Sequence, residues 1–178
     1  MSKIYTKTGD KGRTGTFSGR MGKGEQLAEA LGAIDELNSW VGVCRMQSPT
    51  SPPLPSIEKE LKRIQTNLLT IGSGLAGSEK RLSNREIKRL ELLIDRLTED
   101  LPKLSNFIYP VGHLQVARAV CRRAERETVR FMNEDLRFKN KSKPVLKYLN
   151  RLSDALFTMG RWINNKTGIE EEVWRGKF

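Results

Sequence analysis

Leu27 to Cys44 reads LAEALGAIDELNSWVGVC, with apolar residues at Ala30, Ile34, Leu37, Val41 and Cys44. Steps of three and four put them on one face of a helix, which turns once in about 3.6 residues. The same spacing returns in Ile57, Leu61, Ile64, Leu68, Ile71 and Leu75, after a break through Pro52, Pro53 and Pro55. Gly72, Gly74 and Gly77 thin the end of that second helix. Ser83 and Glu86 have the spacing of a capping box and announce a third helix, with Ile87, Leu90, Ile94 and Leu97 as its stripe. After Pro102 and the turn-rich FIYPVG of Phe107 to Gly112, a fourth helix runs from about Leu114 past Phe131. Lys139 to Pro144 reads as a basic connector, and a fifth helix follows with Leu146, Leu149, Leu152, Leu156, Met159 and Ile163.

No stretch alternates convincingly with period two, and there is no internal repeat. The fold class expected is therefore all-α: a single-domain bundle of about five helices with an irregular glycine-rich N-terminal arm. Residues 1–26 form the arm and 27–178 the bundle. At 178 residues the chain is long enough to bury a core without staples. Met159 reads as core, because a thioether fits helix seams.

The 32 Lys plus Arg exceed the 21 Asp plus Glu, giving a net charge of +11. Such a chain attracts polyanions, and nucleotide, nucleic acid and anionic membrane all qualify. Cys44 and Cys121 each lie inside an apolar helical pattern, which points to buried free thiols instead of a disulfide framework or zinc cluster. Nothing approaches an apolar run of roughly 20 residues, and no signal-like apolar core precedes the arm, so a cytoplasmic location is expected.

The arm reads YTKTGDKGRTGT from Tyr5 to Thr16. Gly9, Gly12 and Gly15 let backbone N–H groups approach an anion, while Thr6, Thr8, Thr14 and Thr16 supply hydroxyls and Lys7 and Lys11 supply charge. It is not a Walker loop: Lys23 is followed by Gly24 and no strand precedes it. A plain flexible terminus fits the same composition.

Arg122 and Arg126 project from one face of the fourth helix, with Arg123 and Glu125 beside them, at a spacing that suits a polyphosphate. The alternative is a solvated face laced by intrahelical pairs such as Arg122 with Glu125. Val120, Cys121 and Ala124 favour a helix set deep in the bundle. Asp35 follows a core position in the first helix, where it either orients Arg122 or is simply exposed. Asn150 stands in an amphipathic stretch, able to bind a sugar hydroxyl or base edge or to bridge two helices. His113 is the only histidine and is placed in a loop, without a catalytic role.

KIYTKTGDKG, GAIDELNSWVG, IQTNLLTIGSGLA, FIYP, RAVCRRAER and LNRLSDALF, in that order, resemble the ATP:cob(I)alamin adenosyltransferases of the five-helix, homotrimeric type over nearly the whole chain. The resemblance implies transfer of the 5′-deoxyadenosyl group of ATP to reduced cobalamin, with release of triphosphate and help from Mg²⁺. It implies that Thr6, Lys7, Thr8, Gly9, Thr14, Gly15 and Lys23 wrap the triphosphate. Arg122, Arg123, Glu125, Arg126 and Asn150 would then complete the nucleotide site, and Asp35 would hold Arg122 across a subunit boundary. Phe107 matches the aromatic residue that keeps the lower corrin face unligated; an ordinary core anchor is its plain alternative. No protein metal ligands are implied. A reductase and an adenosylcobalamin-dependent client enzyme are the partners that the resemblance leaves room for.

Such a reaction needs no side-chain nucleophile, because Co(I) carries the electron pair and the protein must stabilise the departing triphosphate. One departure stands out: the stretch after FIYP is shortened to Val111, Gly112 and His113, and Gln115 replaces the usual histidine. Corrinoid affinity or the reduction step is where this would be felt. Two other readings remain: a nucleic-acid-binding bundle, from the charge and the Arg137 to Lys143 cluster, and a protein that binds ATP or delivers adenosylcobalamin without turnover.

Overall fold

A helix with one apolar stripe hides it only against another such stripe, and this chain does so around a ring. The computed structural model describes residues 3–47, 55–135 and 143–176. Among them the elements are β1 (Arg13–Thr16), β2 (Gly19–Gly22), α1 (Gln26–Gln47), α2 (Pro55–Leu75), α3 (Asn84–Glu99), α4 (His113–Glu134) and α5 (Lys143–Lys166). Helix α1 packs on α2 and α4, α4 on α5, and α5 on α3. The ring closes between α2 and α3 through the ion pairs Arg63–Glu86 at 2.6 Å and Arg89–Glu60 at 2.5 Å.

The expected stripes are the core. Ala30, Ile34, Leu37, Val41 and Cys44 of α1 are buried, as are all six of the α2 stripe. On α4, Ala117, Cys121 and Ala124 are fully buried, and their small side chains let α1 and α5 approach closely. Met159 is core, and Cys44 and Cys121 are buried thiols outside any disulfide. Tyr148 of α5 is enclosed; its hydroxyl accepts from Asn67 Nδ2 at 3.1 Å, and burial pushes the phenol pKa up. A fully buried Leu contributes about 1.5–3 kcal/mol through burial, so this shared core carries most of the stability.

Several local expectations are corrected. The arm is not wholly irregular: β1 and β2 form an antiparallel hairpin pairing Arg13 with Gly22 and Thr16 with Gly19. Pro55 opens α2, where a missing N–H costs nothing, and Lys143 and Pro144 belong to the first turn of α5, not to a connector. His113 begins α4 and stacks on Trp40, ring centroids 6.4 Å apart. Ser83 caps α3 through Arg85 N at 3.3 Å, but Glu86 does not complete a box. Its carboxylate takes the bidentate guanidinium of Arg63 and the amide of Asn67 instead, stronger partners than one backbone N–H. Leu93 replaces Ile94 as the fully buried member of the α3 stripe. The proline break at 52–53 and the basic residues 137–142 lie outside the described residues. No described helix is long and apolar enough to cross a membrane.

Candidate functional site

The arm has a defined shape. Gly12 and Gly19 adopt φ of 71° and 123°, the left-handed region that lets the chain turn at each end of the hairpin. Lys23 N donates to Gly12 O at 2.8 Å, and Arg13 Nη2 to Arg20 O at 2.9 Å, tying the ladder. Arg20 also donates to Thr8 O, folding residues 6–9 back over the hairpin. Thr6 and Thr8 hydroxyls lie 2.9 Å apart, and Lys7 between them holds φ 59°, unusual for a non-glycine residue. A Cβ on Gly9 would sit 3.2 Å from Lys23 Nζ, so glycine is what lets that ammonium approach the backbone. Thr6, Thr8, Gly9 and Lys23 are thus brought together around the Lys7 backbone as hydroxyls, N–H groups and the Lys23 ammonium, an anion-binding set. Thr14 is half-buried on β1, and Gly15 faces open space. Thr16 spends its hydroxyl on Gly19 O.

A second basic surface lies on α4. Arg123 pairs with Glu36 of α1, and Arg130 with Glu127 at 2.6 Å. Arg122 and Arg126 are exposed, and neither closes an ion pair with a described carboxylate, although Glu127 lies within the electrostatic reach of Arg126. Arg126 Nη1 donates to the backbone carbonyl of Arg122 at 3.2 Å, which holds the Arg126 guanidinium one turn back along the same face of α4. The intrahelical pair of Arg122 with Glu125 is not made; Glu125 is half-buried beside them. Cys121 Sγ donates to Leu149 O at 3.3 Å and locks α4 against α5 next to Asn150. Burial chiefly raises the Cys121 thiol pKa, Glu125 and Asp154 add to it, and Arg122 opposes. Asn150 is exposed in a groove of about 580 Å³ between α3 and α5. Its Oδ1 accepts from Arg151 Nη1 at 2.9 Å, and Arg151 is held by Glu91 at 3.0 Å.

The base of the arm reaches α4, where Gln26 Nε2 donates to Glu127 Oε2 at 2.8 Å, but among the described residues no hydrogen bond or ion pair joins Thr6–Gly9 or Lys23 to Arg122, Arg126 or Asn150. Asp35 is exposed without an ion pair to Arg122; the neighbouring positions Glu36 and Arg123 make the α1–α4 bridge instead.

Phe107 is 78% exposed, which removes the plain alternative of a core anchor. It is held from behind by a C-terminal tail that the sequence reading passed over. Trp174 N donates to Phe107 O at 2.8 Å and Tyr109 N to Glu172 O at 2.9 Å, around an Ile108–Val173 bridge. The Trp174 ring meets Phe107 edge-on, centroids 6.3 Å apart at 67°. The tail is latched by Arg161, whose guanidinium takes Glu171 at 2.5 and 2.9 Å and Pro102 O at 2.9 Å. The only signal in the sequence was an aromatic in a charged terminal stretch. Just after the shortened loop, in the first turn of α4, Gln115 turns inward: it is buried, accepts from Arg118 Nε at 3.0 Å and donates to Phe157 O at 3.4 Å. Gly160 makes room for it, since a Cβ there would lie 2.9 Å from Gln115 Nε2.

Residues 4–163 match the model of the cobalamin adenosyltransferase family. A corrinoid adenosyltransferase of Bacillus subtilis is 39% identical over 94% of this chain and 89% of its own length. The human corrinoid adenosyltransferase MMAB is 40% identical over 97% of this chain and 73% of its own. In structure, a single-residue variant of the PduO-type ATP:corrinoid adenosyltransferase from Lactobacillus reuteri, complexed with cobalamin and ATP, superposes with a TM-score of 0.89 at 33% identity, covering 98% of this chain and 100% of that one. With its five-helix ring, hydroxyl-rich arm and arginine wall, the chain belongs to the cobalamin adenosyltransferase family.

Proposed function

We propose that this protein transfers the 5′-deoxyadenosyl group of ATP to the cobalt of reduced cobalamin, forming adenosylcobalamin and releasing triphosphate. The observation that carries this is on α4: Arg123 and Arg130 are neutralised by Glu36 and Glu127, while Arg122 and Arg126 are left side by side for an external anion. In the reaction Co(I) supplies the electron pair that forms the Co–C5′ bond. The C5′–O bond breaks and its electrons leave on the triphosphate. The protein therefore has to bind the polyphosphate, align C5′ with cobalt and stabilise charge on the leaving oxygen.

Arg122 and Arg126 supply fixed positive charge for that oxygen, and Thr6, Lys7, Thr8, Gly9, Thr14, Gly15 and Lys23 grip the remaining phosphates. Arg123 and Glu125 flank the pair, and Asn150 offers an amide to the nucleoside. Phe107, backed by Trp174, presents an aromatic edge to the corrin's lower face, where excluding an axial ligand eases reduction to Co(I). Mg²⁺ fits this residue set as an ion carried on the triphosphate, with half-buried Glu125 as the nearby carboxylate; it would neutralise phosphate charge.

Because no hydrogen bond or ion pair joins Thr6–Gly9 or Lys23 to Arg122 or Arg126 among the described residues of one chain, the complete site is assembled between copies of a homotrimer, with Asp35 reaching Arg122 of a neighbour. A reductase and a client enzyme that takes the product would be its partners, in the cytoplasm. Incubating the protein with ATP, Mg²⁺ and chemically reduced cob(I)alamin should yield adenosylcobalamin and triphosphate in equal amounts. ATP consumed without a Co–C bond, or no product, overturns the proposal.

A further inference from the structure

The hairpin is fastened to the bundle of its own chain at its tip. Helix α2 ends in a backbone cap: Gly77 N donates to Gly74 O at 3.3 Å and Ser78 N to Ser73 O at 3.0 Å, with Gly77 at φ +101°. The turn leaves the Ala76 carbonyl pointing outward, and Phe17 N donates to it at 3.0 Å. Ser18 rests directly on Gly77: a Cβ added there would lie 2.0 Å from Ser18 Oγ and 3.2 Å from both Ser18 N and Cβ. Phe17 and Ser18 are the two residues that join β1 to β2.

A two-stranded hairpin alone is marginal in water, and Met21 is its only buried side chain. The tip contact is therefore what gives the ladder a fixed direction. From that tip the four-residue strands carry Gly12 and Lys23 about 13 Å away, at about 3.3 Å per residue, to the Thr6–Gly9 cluster. A small tilt at Gly77 becomes a displacement of the phosphate-gripping groups.

We propose that Gly77 is a positioning residue for the nucleotide: it seats the Phe17–Ser18 tip and thereby aims the arm at the triphosphate, without touching ATP itself. This rests on the ATP-binding reading of the arm given above.

The test is Gly77→Ala, Ser18→Gly and the double variant, compared for steady-state kinetics, ATP affinity by calorimetry and trypsin cleavage within residues 7–23. Gly77→Ala is expected to raise the ATP KM and Kd at least about tenfold and to expose the arm to trypsin, with kcat at saturating ATP and the corrinoid KM changed less than about twofold. Ser18→Gly alone should stay near wild type. The double variant should recover most of the ATP affinity, because the 2.0 Å contact with Oγ and the 3.2 Å contact with Cβ are removed, leaving the 3.2 Å approach to the backbone N at position 18 and the φ strain in the cap. An unchanged ATP KM, or no recovery in the double variant, overturns the proposal. Should Gly77→Ala not fold, Ser18→Leu pushes the tip off from the arm side with α2 unaltered. It must then show the same KM split, and a wild-type KM would overturn the proposal equally. Trypsin and calorimetry need no turnover, so a wild-type protein lacking transferase activity would refute the proposed reaction while leaving the seating contact testable.

Discussion

Replacing Arg161 with Met should release the C-terminal tail and blunt the corrinoid half of the reaction while sparing ATP. The Arg161 side chain is 6% exposed and that of Glu171 18%, and the guanidinium makes three hydrogen bonds, two to Glu171 and one to Pro102 O. Met keeps an apolar stem of similar length but none of the donors, and it also gives up the guanidinium 5.9 Å above the Phe157 ring. Stranding a partner of a buried ion pair costs about 3–5 kcal/mol when the remaining charge cannot reach water. Here Glu171 lies on a tail that can lift away and rehydrate it, which lowers the expected loss to about 2–3 kcal/mol. For a chain of this length each kcal/mol moves Tm by about 2–4 °C, so thermal melting should fall by about 4–12 °C. Trypsin should cut at Arg175 faster, and Phe107 should lose its edge-on partner. Transfer starting from cob(II)alamin plus reductant should then fall more than transfer from cob(I)alamin, with the ATP KM unchanged. Unaltered melting and proteolysis, or an ATP KM that rises alongside, would refute the latch.

Arg126→Ala should weaken ATP binding at least about tenfold by calorimetry, since a charge-assisted contact contributes on the order of 2 kcal/mol, with helical content retained. Phe107→Ala should leave ATP affinity intact and lower turnover from cob(II)alamin; equal loss of ATP affinity in both would contradict their division of labour. The hydrogen bond from Arg63, followed by that from Asn67, holds the Glu86 carboxyl below its usual range against the opposing effect of burial. The folded chain therefore binds that proton less readily than the unfolded one. Its contribution is complete above the unfolded pKa of about 4.3 and is lost as pH falls through the lower folded value. Urea midpoints should accordingly drop less between pH 7 and pH 3 in Glu86→Gln than in the wild type; parallel curves would show that Glu86 is not part of the acid response.

The helices were legible because burial of one face per turn writes itself into the order of apolar residues, as in Ile57 through Leu75. The hairpin was not, because period-two alternation needs a strand half-buried along its length. RTGT and GRMG are four residues each and bury only Met21. Sequence left Asp35 open between holding Arg122 and lying exposed, and only the packed α1–α4 crossing shows that its neighbour Glu36 is the residue that pairs with Arg123. The Ser83–Glu86 spacing fitted a capping box, but Arg63 arrives from another helix and competes for the same carboxylate, a tertiary effect invisible to local pattern. Trp174 could not be assigned from its own neighbours, since its role depends on a chain segment more than sixty residues earlier.

The division of the site between chains is tested most directly by subunit complementation. A Lys23→Ala chain, deficient in the arm, and an Arg126→Ala chain, deficient in the wall, would each be nearly inactive alone. Unfolded, mixed in equal amounts and refolded, they should regain about one quarter of the wild-type rate, because a quarter of randomly formed junctions pair an intact arm with an intact wall. A mixture no more active than the sum of its parents would mean that arm and wall serve the same chain, and the composite site would be wrong.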